Sequence, residues 1–185
     1  MDLELEKELV ERAKSDTEAF GKLYEQYYSS IFGYVLRRTA SFTATQDITS
    51  EVFFKALKNL KQFHWRGVPF SSWLYRIATH EIANHYRHNG HQPVSLEVFS
   101  NLINLSEQDN KNEVLGAQSL LERNEDFLSL HQNLLKLPVK YQEVITLRFF
   151  EDKQLKEISS ILGKSEGTVK SLLHRGLEKL RTMIG

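Results

Sequence analysis

Apolar residues recur along most of the chain at spacings of three and four, the mark of helices that bury one face. Residues 2–14 predict a short first helix with Leu3, Leu5, Leu9 and Val10 as core positions. Ser15-Asp16-Thr17-Glu18 then combines a stop with a start. Ser15 or Asp16 can cap the next helix, and Glu18 falls in its first turn, where negative charge is favoured. That helix runs to about Arg38, with Phe20, Leu23, Tyr24, Tyr27, Tyr28, Ile31, Val35 and Leu36 on a broad apolar face. After a polar break, a third helix runs from about Thr45 to Leu60, turning Ile48, Val52, Phe53, Ala56, Leu57 and Leu60 inward. A short loop, His64 to Val68, precedes a fourth helix from Pro69 to Arg87. Ser71 or Ser72 can cap its first turn, and Leu74, Ile77, Ala78 and Ile82 form its buried stripe. Gly90 is a plausible left-handed terminator.

Residues 91–112 change character, with Gln, Ser, Asn and acidic residues around short apolar clusters, and read as a linker. Helical pattern resumes at about Glu113 and continues to Lys136. Pro138 opens another helix with Val139, Val144, Ile145, Leu147 and Phe149 as its apolar positions. A short helix follows, burying Leu155, Ile158 and Leu162. Gly163-Lys164-Ser165 makes a turn, and Ser165 caps a last helix with Val169, Leu173, Leu177 and Leu180 as its stripe. No strand-like alternation competes with these patterns. The expected fold is all-α, with two small helical domains at 1–90 and 113–185 joined by a flexible linker at 91–112.

Composition narrows the chemistry. The 185 residues contain no Cys, which excludes disulfides, thiolate metal sites and Cys nucleophiles. The N-terminal MDLELEKELVERAK is charged throughout and is no secretory signal, and no apolar run approaches the length of a membrane span. A cytoplasmic location is expected. Net charge is zero, yet the charge is segregated: −4 over residues 1–52, +5 over 53–91, −5 over 92–126 and +4 over 153–185. Two basic blocks around an acidic one suggest two polyanion-facing modules on an acidic tether.

Two faces carry candidate chemistry. On the fourth helix Trp73, Arg76, His80, Asn84 and Arg87 are spaced 3, 4, 4 and 3 apart and so share one side. An aromatic plate, cations and hydrogen-bonding groups suit a strand whose bases stack and whose phosphates need neutralising. The last two helices have the proportions of a helix-turn-helix, leaving Lys164, Thr168, Lys170, Ser171, His174 and Arg175 on the open side of the second. On the third helix Phe54 points away from the core stripe beside Asp47 and Glu51, which suggests a protein-docking surface. His80, His85, His88 and His91 could be read instead as a metal-dependent enzyme. Their spacing is wrong for a helical ligand pair, and no carboxylate beside them is placed as ligand and base. With no Gly-rich phosphate loop or nucleophile elbow either, no catalytic residues, metal or cofactor are expected.

Together these residues resemble the extracytoplasmic-function group of bacterial sigma factors, the sigma-70 subunits that give RNA polymerase its promoter specificity. Asp47 to Ala56, Phe63 to Phe70 and Ser72-Trp73-Leu74-Tyr75-Arg76-Ile77-Ala78 resemble the family's second region. Leu137-Pro138 through Glu143-Val144, Leu155 to Leu162, Glu166 to Ser171 and His174-Arg175 resemble its fourth. The resemblance implies that Asp47, Glu51, Phe54 and Lys55 bind core polymerase. It implies that Trp65, Arg66, Trp73, Arg76, His80, Asn84 and Arg87 melt and hold the −10 promoter element. Lys164, Ser165, Thr168, Lys170, Ser171, His174 and Arg175 would read the −35 duplex. It also implies an anti-sigma partner, and a linker that occupies the polymerase channel. Three positions depart from the pattern: His80 where relatives often have Asn, Leu172 where many have Arg, and Ser50 where Gln is common. The rival reading is a transcriptional regulator that uses only the helix-turn-helix, with residues 1–90 as a sensing or dimerising domain.

Overall fold

Capping side chains divide the first half of the chain. The computed structural model describes residues 3–89 and 130–184. In it, α1 (Leu3–Ala13) gives way to α2 (Thr17–Thr39) at Asp16, whose Oδ1 accepts the Glu18 N–H at 2.9 Å. Ala40 ends α2 in the left-handed region (φ 48°). Ser41 Oγ accepts the Ala44 N–H at 3.3 Å, so α3 (Phe42–Asn59) starts earlier than the expected Thr45. A 3₁₀ turn, Leu60–Gln62, leads to the loop before α4 (Phe70–Asn89). The linker at 91–112, the Gly90 terminator and the beginning of the helix expected from Glu113 lie outside the described residues.

Residues 130–136 are helical and form α5. α6 (Val139–Ile145) follows Pro138 and runs into a π turn, Thr146–Phe150. In α7 (Leu155–Leu162) the Glu157 carboxylate accepts the Gln154 N–H at 2.9 Å, and Gly163 (φ 63°) terminates the helix. Ser165 Oγ accepts the Thr168 N–H at 3.2 Å and caps α8 (Glu166–Ile184), as its position in the turn predicts. Every regular element among the described residues is helical.

α1 to α4 close around Val10, Leu23, Val35, Val52, Leu74 and Ile82, while α6 to α8 close around Val144, Leu147, Ile158 and Val169. Each such side chain contributes about 1.5–3 kcal/mol on burial, so packing rather than helix propensity holds these short helices. The two sets join in one hydrophobic cluster. α7 lies along α4, and the π turn lies against α2.

Several expected core positions are displaced. Leu3 and Leu5 are exposed, and the residue α1 buries beside Val10 is Glu6. Its carboxylate accepts the Phe70 N–H at 3.0 Å and the Tyr27 hydroxyl. The cap of α4 is therefore Glu6 rather than Ser71 or Ser72, both of which are buried inside the helix. Tyr24, Leu57, Val139, Phe149 and Leu177 also remain exposed. In α8 the buried position between Leu173 and Leu180 belongs to Gly176. A Cβ there would meet Ile145 Cδ1 at 3.1 Å and Tyr141 Cβ at 3.2 Å. Close approach of α6 to this glycine turns Leu177 outward.

Candidate nucleic-acid interfaces

The capped start of α4 fixes an aromatic wall. Phe70 is buried, and Trp73, one turn on, packs at a tilt against it, ring centroids 5.5 Å apart, and against Phe63 at 4.9 Å. Trp73 is thereby held partly exposed beside a cavity of about 390 Å³ whose lining includes Phe63, His64, Arg66, Trp73, Arg76 and Ser160. The fold thus brings Arg66, Trp73 and Arg76 together at one opening. His80, Asn84 and Arg87 continue along the same helix, with His80 and Arg87 exposed and Asn84 half-buried. Trp65 stands apart from the lining, its ring edge-on to Phe63 at 6.4 Å. His64 joins the lining without having been singled out. Its place in the loop before Pro69 was the signal available in the sequence. Ser160 comes from the other half of the chain, and no local pattern points to it.

The cavity wall is polar where it meets α7. Arg76 Nη1 donates to the Ser160 carbonyl at 3.4 Å. On α6 the Glu143 carboxyl is pushed above the usual carboxylate range by burial, against the opposing charges of Arg38, Lys164 and His80. Among the described residues no three His or acidic side chains converge as a metal-ligand group.

The outer face of α3 is built differently. Asp47 and Phe54 are exposed, Phe54 by 59%, and Glu51 is half-exposed beside them. Lys55 is tied across to α4: its ammonium lies 2.8 Å from Glu81 and 3.2 Å from Glu51, and Glu81 foremost holds it above its usual pKa. Leu57 is exposed on the same helix, which leaves an apolar patch rimmed by carboxylates.

On α8 and the turn before it, Lys164, Ser165, Thr168, Lys170, Ser171, His174 and Arg175 are all exposed. Ser165 and Thr168 hydrogen-bond each other at 2.9 Å at the helix N-terminus, and His174 faces Glu178 at 3.4 Å. Leu172 is half-buried and packs against the hydrophobic cluster, so a long cation in its place would lose that apolar contact. The arrangement offers hydroxyl donors and cations from one helix end, the chemistry that contacts base edges and phosphates in a major groove.

Two family descriptions match the chain, "Sigma-70 region 2" over residues 23–92 and "Sigma-70, region 4" over residues 127–180. The ECF RNA polymerase sigma factor SigW of Bacillus subtilis is 31% identical over 188 residues, covering 100% of this chain and 98% of that protein. The ECF RNA polymerase sigma factor BldN of Streptomyces coelicolor is 31% identical over 184 residues, covering 96% of this chain but 65% of that longer protein. Among solved structures, the sigma factor RpoE of Bartonella quintana in complex with the anti-sigma factor NepR aligns with a TM-score of 0.63 at 16% identity. The alignment covers 89% of this chain and 96% of that one, a likeness of fold.

Proposed function

The chain belongs to the extracytoplasmic-function group of the sigma-70 family, and from that premise we propose how its helical faces divide the work of promoter-specific transcription initiation. Residues 1–90 bind core RNA polymerase and capture the −10 element, 113–185 read the −35 element, and 91–112 connect them. Asp47, Glu51 and Phe54 dock on the clamp of the polymerase largest subunit, with Lys55 bracing α3 against α4 from behind. Trp73 supplies a stacking plate for an unpaired base. Arg66, Arg76 and Arg87 neutralise phosphates, and His80 and Asn84 meet base edges. Extruding a base costs a few kcal/mol, which stacking and a fitted pocket must offset. Trp65 supports the wall from behind Phe63. Ser165, Thr168 and Ser171 hydrogen-bond the −35 duplex while Lys164, Lys170, His174 and Arg175 hold its backbone.

The observation that carries this reading is the pairing of two different nucleic-acid faces on one chain, an aromatic-lined opening on α4 and a capped reading helix in α8. A regulator with an N-terminal sensing domain is not favoured, because the region 2 description spans 23–92. In this role the chain performs no catalysis and works in the cytoplasm with the polymerase. No described helix is long and apolar enough to cross a membrane. An anti-sigma protein holds it inactive, by analogy with the relative bound to NepR. Run-off transcription with core polymerase on a randomised promoter library tests the reading. Core-dependent transcripts with shared −35 and −10 sequences are expected; no transcript above core alone would overturn it.

A further inference from the structure

The aromatic wall beside the cavity is held from the first helix. Glu6 of α1 is only 3% exposed, and its Oε1 accepts two hydrogen bonds, one from the Phe70 N–H at 3.0 Å and one from the Tyr27 hydroxyl. The Tyr27 ring lies 6.1 Å from that of Phe70. Phe70 in turn meets Phe63 edge-on at 5.3 Å and Trp73 at a tilt at 5.5 Å, and Trp65 meets Phe63 edge-on at 6.4 Å. The carboxylate thus sits at the root of a ring cluster that carries both tryptophans of the chain. A buried carboxylate needs donors, and the N-terminus of a 20-residue helix supplies one together with a favourable partial charge.

The loop before α4 depends on the same anchor. Among the described residues, no hydrogen bond or ion pair involves His64 to Val68. Hydrogen bonds hold the loop at its two ends instead. The Phe63 N–H returns to the Leu60 carbonyl at 3.0 Å, and the Phe70 N–H goes to Glu6. Gly67, with φ 69°, turns the chain between them. The places of Arg66 and of the Trp73 ring at the cavity therefore follow from what holds these ends, and one end is held by a side chain 64 positions earlier.

We propose that Glu6 is a positioning residue for capture of the −10 strand. By pinning the first N–H of α4 it sets the spacing between the loop cation Arg66 and the Trp73 ring at the opening where an unpaired base stacks. The proposal rests on the −10 role given to that opening above. It adds α1 to the machinery of capture without giving it any contact with DNA. When the carboxylate is removed, the first turn of α4 frays and the ring cluster loses its fixed edge, while the rest of the core keeps its packing.

Two measurements on the full chain separate positioning from stability. Trp65 and Trp73 are its only tryptophans, so intrinsic fluorescence reads the wall directly. Glu6→Ala is expected to shift the emission to the red and to raise quenching by acrylamide. Glu6→Gln presents a carbonyl oxygen in place of Oε1, keeps both donors and should match the wild type. Holoenzyme is then bound to a fork template whose single-stranded −10 element is the one selected from the promoter library, with anisotropy as the signal. Glu6→Ala should weaken this binding about tenfold and Glu6→Gln should restore it, with −35 duplex binding changed by less than about twofold. Tyr27→Phe removes only the second donor and should show the same two changes in smaller measure, which serves if Glu6→Ala does not fold. Val35, fully buried about two turns beyond Tyr27 on α2, is the control: Val35→Ala loosens the same core but leaves the carboxylate in place. All variants are read where urea curves show them folded. No loss of fork binding in the Glu6→Ala and Tyr27→Phe variants overturns the proposal, as does an equal loss in Val35→Ala or a failure of Glu6→Gln to restore binding. Wild-type holoenzyme that binds a fork with a scrambled −10 element equally well would overturn the −10 role itself, and the proposal with it, before any variant is read.

Discussion

Three side chains on or beside α4 do separable jobs. Trp73 packs at a tilt against Phe63 and Phe70 and lines the cavity beside them. Trp73→Ala is expected to weaken strand capture by about 1–3 kcal/mol. Permanganate footprinting should then show protected −10 thymines, while co-elution with core polymerase persists. His80 is exposed, so its exchange tests recognition with little effect on folding. Selection on a promoter library with His80→Asn should return a −10 element altered at one position. An identical element would remove His80 from base contact. Glu6 acts structurally, since its carboxylate receives the first N–H of α4 together with the Tyr27 hydroxyl. Glu6→Ala should cost roughly 1–2 kcal/mol, the usual range for a lost cap. Glu6→Gln keeps an acceptor and should recover most of that in urea unfolding.

At the level of elements, α6 and α8 are held together by the absence of a side chain. Gly176→Ala places a Cβ within 3.3 Å of Tyr141 and Ile145, on a packed wall that cannot yield cheaply. A loss of about 1–3 kcal/mol in urea unfolding is expected, against the helix propensity the substitution would otherwise add. The helices themselves were legible because their causes are local: Asp16 and Ser165 cap the helix that follows each of them, and Gly163 ends one, whereas the Ser41 cap, set in a polar stretch, starts α3 earlier than its apolar pattern does. The shared side of Trp73, Arg76 and His80 follows from spacing on one helix, and so was legible too. What escaped the sequence depends on partners distant in the chain. Glu6 and Phe70 are 64 positions apart, and nothing near Ser71 or Ser72 reveals that a carboxylate from α1 has taken the cap. Leu5, Leu57 and Leu177 fit the periodicity yet find no neighbour, because periodicity gives a face but not the width of what covers it. Ser160 and Glu151 enter only through packing of one half on the other.

For the whole molecule, the junction between the halves includes a titratable group whose sign is opposite to that of its neighbours. His131, at the start of the described part of α5, is fully buried, with Nε2 2.8 Å from the Arg37 carbonyl. Burial lowers its pKa from the usual 6.5, and the pull of that carbonyl toward the charged form does not overcome it. Neutral in the folded chain, the ring donates Nε2–H to Arg37, the residue that also pairs with Glu151. The unfolded chain therefore binds this proton more readily. The His131 contribution is full above about pH 6.5 and is lost as pH falls toward the folded value, with a limiting slope of about 1.4 kcal/mol per pH unit. Glu143 and Glu151, both raised by burial, act the other way, because the folded chain holds their protons more tightly as pH falls. The difference between variants isolates the histidine. His131→Gln can keep the donor to Arg37 but does not titrate. Urea unfolding between pH 7.5 and 5.5 should show the wild type losing stability relative to His131→Gln, and parallel curves would mean that protonation of His131 does not couple to holding the two halves together.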